Sequence, residues 1–143
     1  MSEQTSLSGY KDKIEWSLFL MRVGVFIVMF IWAIEKFVNP GHLIGNLEYF
    51  YLIDGIDNNI IYIGGVIHMI VVFAFLAGMW KRYTYGFMMV AHGLSTIVSW
   101  RQYTTDFNIV FYTAWPMLAA CVALYILRDL DVKYTLKNPH NQA

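Results

Sequence analysis

"SLFLMRVGVFIVMFIWAIEKFV", Ser17 to Val38, is the stretch on which the fold turns. A helix that crosses a bilayer needs about 20 predominantly apolar residues. This run is interrupted only by Arg22 near its start and by Glu35 and Lys36 near its end. Further along the chain, similar runs occupy Ile60 to Trp80, Tyr83 to Trp100 and Phe107 to Leu127. The third is the shortest and most polar, but it lies between "WKRY" and "WRQYTTD", whose aromatic and basic residues suit two membrane interfaces. These runs predict an all-α fold: an integral membrane four-helix transmembrane bundle over residues 16–130, with a polar N-terminal tail (1–15) and a C-terminal tail (131–143). Residues 1–15 are expected to be mobile or to lie along the surface, and "KNPHNQA" to fray.

Composition agrees. Of 143 residues, 58% are hydrophobic and 14% charged, and the mean hydropathy of +0.48 is too high for an ordinary soluble domain. One domain is expected from the length. The net charge is zero and no basic stripe stands out, so the footprint of a nucleic-acid binder is missing. Cys121 is the single cysteine and lies in an apolar run, which leaves no disulfide framework and no thiolate metal site. No small-residue cleavage site follows the first apolar run, so no cleaved signal peptide is expected.

Orientation follows from the short loops. Lys11 and Lys13, then Lys81 and Arg82, then Arg128, Lys133 and Lys137 fall on one side of four crossings. The opposite side holds Lys36 and Arg101 among Glu35, Glu48, Asp54, Asp57 and Asp106. Both termini are therefore expected to be cytoplasmic. The long first link, with "LEYFYLI" in it, is expected to lie at the outer interface as a short amphipathic element. The very short second link makes helices two and three antiparallel neighbours.

Ionisable groups within a span are costly unless they face the bundle or water, so each is a functional candidate. Arg22, Glu35, Lys36, His68 and His92 qualify, with Arg101 at the rim. His68 and His92 each lie on the order of 12 Å below the outer ends of their helices and are expected to meet. Tyr85, Met88, His92, Ser95 and Ser99 recur at helical spacing as one polar stripe, while Gly64, Gly65, His68, Val72 and Phe75 share a face of helix two. Glu35 is expected to turn inward toward the histidines, and Lys36 to carry its amine outward to the interface. Arg22 shares a face with Lys36 and is expected to snorkel toward phosphates or cap an inner cavity.

Three functional readings compete with plain packing. His68 and His92 could ligate a haem or metal, with Met69, Met88 or Met89 as soft ligands. Glu35, His68 and His92 could form a hydrogen-bonding pocket for an amphipathic molecule such as a quinone. The cluster could line a transport path in an oligomer. Against these, buried polar groups often just bond across helices, and Glu35 and Arg101 could form an interfacial ion pair. Nucleotide-loop, thiol-redox, zincin and nucleophile-elbow motifs are absent.

The stretch "LMRVGVFIVMFIWAIEKFVNPGH" resembles the first helix of the DoxX-like membrane proteins, with Arg22, Gly24, Lys36, Phe37 and Pro40 at the matching places. "GGVIHMIVVFAFLAGMWKRYTYGFMM" is similar to that family's second helix and basic turn, and "LYILRDLDVKY" to its closing segment. The resemblance implies a multi-pass four-helix protein of the inner (cytoplasmic) membrane, linked to quinone-dependent redox physiology. One departure is that His68 stands near where the family often carries a Glu, while Glu35 stands where a small residue is usual. The expectation is a redox-linked subunit or accessory, not catalytic alone. It would bind quinone or a similar apolar ligand through Glu35, His68 and His92, with Arg101 at the mouth and Arg22 on the cytoplasmic side. The alternatives are a structural or assembly subunit of a larger membrane complex, and a small oligomeric transporter. Partners are the lipid bilayer and either other membrane subunits or further copies of the chain.

Overall fold

The computed structural model describes residues 2–136, with side chains described from Gly9 onward. Six α-helices and one 3-10 turn are found among these residues, and no strand. Helix α1 spans Ser2–Val38 and α2 Pro40–Tyr51; α3 spans Asn58–Leu76 and α4 Lys81–Val98. A short α5 (Trp100–Thr104) and the 3-10 turn Ile109–Thr113 lead into α6 (Ala114–Ile126). Three helical stretches are long and apolar enough to cross a membrane: Gly9–Val38, Asn58–Leu76 and Ile109–Ile126.

Each boundary has a local cause. Asn39 leaves the helical region and Pro40, which has no N–H to lose, opens α2 at its first turn. None of the α2 residues is buried, as an interfacial element would have it. The Asp57 side chain caps α3 by accepting from the Asn59 N–H at 2.6 Å. After α3 the chain reverses through Gly78, whose φ of +65° suits glycine; a Cβ there would sit 2.5 Å from Thr135 Cγ2.

Helix α1 packs chiefly on α3, and α4 chiefly on α6. Both pairs are antiparallel. Phe26 and Phe30 meet Phe73 while Phe37 stacks on Tyr62 at the far end. In the second pair, His92 lies against Ala114 and Gly86 against Tyr125. Gly65 lets α1 and α3 close up, since a Cβ there would come 2.8 Å from the Phe37 ring. Phe75 and Tyr85, 4.8 Å apart, tie the two pairs together. Around them Leu18, Val25, Met29, Val72, Met88, Cys121 and Leu124 complete the buried apolar cluster.

Both ends of the described chain carry ordered structure. Helix α1 already begins at Ser2, because residues 2–16 contain no proline. Lys11 and Glu15 are also spaced for an i,i+4 pair. The segment after α6 folds back onto the bundle. Asp131 is fully buried, the Leu136 N–H donates to the Ala77 carbonyl at 2.9 Å, and Lys133 Nζ donates to Asp12 at 2.7 Å. "KNPHNQA" lies outside the described residues. One end of the molecule thus gathers the early turns of α1, the α3–α4 turn and residues 131–136; α2 and α5 lie toward the other.

Candidate functional site

Toward the α2 end, α1, α2, α3 and α4 enclose a cavity of ≈ 610 Å³, within the size range of small-molecule sites. Met29, Ile67, Phe87 and Ala91 form apolar walls, and Lys36 and His68 are the central polar groups. Lys36 Nζ lies 3.0 Å from the Trp32 carbonyl and 3.0 Å from His68 Nδ1. An ammonium can only donate, so His68 Nδ1 accepts and its proton resides on Nε2. His68 is 9% exposed and Nε2 has no partner among the described residues. An ammonium carries three N–H groups, of which two are engaged here. The site therefore presents an N–H from Lys36 and an N–H from His68 without acceptors.

This reverses the expected roles of two adjacent residues. Lys36 turns inward to His68, and Glu35 faces the rim, where its carboxylate pairs with His42 of α2. Successive helical side chains point about 100° apart, so when α1 packs on α3 only one of the two can face His68. Glu35 still lines the cavity, with His42, as part of its outer wall.

His92 is not in that cavity. It lines a second one, of ≈ 710 Å³, between α1, α4 and α6. There its Nε2 donates to the Ala114 carbonyl at 3.0 Å and its ring lies 5.6 Å from Trp32. The two histidines expected to meet are thus directed apart, because α3 takes α1 as its main partner and α4 takes α6. Trp32, Ser95 and Ser99 line both cavities. Among the described residues no group of three or more His, Cys, Asp or Glu gathers to hold a metal ion. His68 and His92, considered from sequence as a metal or haem pair, line different cavities.

Arg22 is fully buried at the opposite end. Its Nη1 donates to Asp131 Oδ2 at 2.9 Å, the Tyr85 hydroxyl donates to the same oxygen at 2.6 Å, and Nη2 donates to the Lys133 carbonyl. It holds the C-terminal segment rather than snorkelling to headgroups. Arg101 is exposed, with its guanidinium 5.7 Å from the Trp100 ring, and it lines neither cavity. Its expected ion pair with Glu35 is replaced by the His42 contact.

Three participants went unnoticed in the sequence: Trp32, His42 and Asp131. His42 had a signal, since it follows Glu35 by two helical turns across the proline break. Asp131 had another, as an acidic residue inside the closing "LRDLDVKY". No protein-family model, curated protein or solved structure matches the chain.

Proposed function

We propose that this chain is a multi-pass four-helix protein of the inner membrane, both termini cytoplasmic, that binds a carbonyl-headed amphipathic molecule of the quinone class beside Lys36 and His68. In this proposal it serves as a redox-linked subunit or accessory. The observation that carries the ligand is the pair of unanswered donors in a cavity with apolar walls. A quinone carbonyl oxygen has two lone pairs and accepts two such bonds, and its ring suits the Phe87 and Met29 walls.

The membrane placement rests on an inverted α4. Its polar Thr84, His92 and Thr96 are buried, while Val90, Leu94 and Ile97 are more than half exposed. A water-exposed helix would carry the opposite pattern, and a lipid-facing one has no reason to. This supports counting α4 as a fourth crossing although its composition is more polar. Lys11, Lys13, Lys81, Arg82 and Lys133 all belong to the end where the described termini meet, which supports placing that end in the cytoplasm. The reading also draws on the resemblance of the opening and closing stretches to the DoxX-like proteins.

A mild-detergent preparation tests this by optical spectrum and by mass spectrometry of its lipid extract. Co-purified quinone, depleted in His68→Phe and Lys36→Met, is the expected result. A quinone-free preparation that brings down other membrane subunits would overturn it in favour of an assembly role.

A further inference from the structure

We propose that the groove between α1, α4 and α6 is a second ligand site, which takes the hydroxyl head of an amphipathic alcohol or phenol. The hydrogen-bond polarity at His92 is opposite to that at His68. The Ala114 carbonyl can only accept, so His92 carries its proton on Nε2 and, in the neutral ring, presents Nδ1 as a bare acceptor. His92 is 2% exposed and Nδ1 has no partner among the described residues. The Tyr103 hydroxyl, lining the same groove, is also without a partner. A carbonyl head has nothing to donate to Nδ1. A hydroxyl can donate, and in this proposal it donates to Nδ1.

The rest of the groove suits an apolar tail. It runs along α1 from Trp32 to Met21, about 16 Å at the helical rise per residue, past Val25, Val28, Met117 and Ala120. Gly24 widens it: nothing lies within 4 Å of a Cβ built there. Leucine at this position would therefore enter the groove without displacing packed atoms. The phenol of a hydroquinone and the free alcohol of a diacylglycerol both present this chemistry.

The test uses the full chain in lipid nanodiscs with 15N-labelled histidine. The probes are a long-tailed hydroquinone, its O-methylated analogue and a diacylglycerol. Expected is saturable binding of the hydroquinone or the diacylglycerol with a shift of the His92 Nδ1 resonance, and about tenfold weaker binding of the methylated analogue, as for loss of one buried hydrogen bond. Which of the two binds identifies the source as a phenol or a lipid alcohol. Gly24→Leu should abolish binding. His92→Gln, whose amide can still donate to Ala114, should weaken it by a similar factor, and the ligand-induced shift of the His92 Nδ1 resonance should persist in His68→Phe. This separates the site from the quinone cavity. If neither probe moves Nδ1, or if methylation costs nothing, the proposal is overturned.

Discussion

Arg22 and Asp131 lie at no more than 1% side-chain exposure, 2.9 Å apart, with Tyr85 sharing the carboxylate. Removing one partner strands the other charge in an apolar surround, which typically costs about 3–5 kcal/mol. Asp131→Leu alone should therefore destabilise strongly, whereas Arg22→Met combined with Asp131→Leu should recover much of the loss. Thermal unfolding in detergent distinguishes these, and a single variant as stable as the double would exclude the pair's role. Sequence spacing placed Arg22, His68 and His92 on helices, which are α1, α3 and α4. It could not fix which way each side chain turned. Glu35 and Lys36 show why: a rotation of about 100° exchanges their roles, and that rotation is set by the Phe37 ring fitting over Gly65, a contact between residues far apart in sequence.

Among the elements, the C-terminal segment depends on what receives it. Gly78→Ala should loosen it, because the left-handed backbone and the close Thr135 both oppose a Cβ. Faster hydrogen exchange at the Leu136 amide, which donates to Ala77, would report this. The same segment carries a pH dependence. The hydrogen bond to Asp12 holds Lys133 above its ordinary 10.5, with the Asp12 and Glu15 carboxylates adding to the shift. A raised lysine value contributes stability fully present below 10.5 and lost as pH rises through the folded value. Protease cutting near Lys133 should therefore increase only on the strongly alkaline side, and Asp12→Asn should bring that onset lower. The long apolar runs, the α3–α4 reversal and a short helical element in the first link could be read from the chain because each rests on local composition. The helical residues 2–16 and the docked 131–136 could not, because a polar stretch looks the same whether it meets water or a partner segment; here Lys133, Asp12 and Glu15 supply the partner.

At the scale of the whole molecule, apolar side chains cover much of the outside. Leu20, Ile63, Ile70, Val90 and Ile97 are all at least half exposed, while Arg22, His92, Thr96 and Asp131 are buried. That distribution, with polar groups inside and hydrocarbon outside, is what a bilayer demands. An all-helical membrane protein was therefore legible from hydropathy. The existence of two cavities was not. It follows from the choice of helix pairs, α1 with α3 and α4 with α6, which leaves space on either side of Trp32. A cysteine-reactive probe unable to cross membranes should label Asn58→Cys, at the start of α3, from outside the cell, and Lys81→Cys only after permeabilisation.

The central claim is that Lys36 and His68 together hold a carbonyl head, and titration of the nanodisc-embedded chain with a short-tailed quinone tests it most directly. Expected is one saturable site, weakened about tenfold or more by His68→Phe and similarly by Lys36→Met, with His92→Gln binding like the unaltered chain. Equal affinity for the quinone in the unaltered chain and in His68→Phe, or no saturable binding to either, would contradict it.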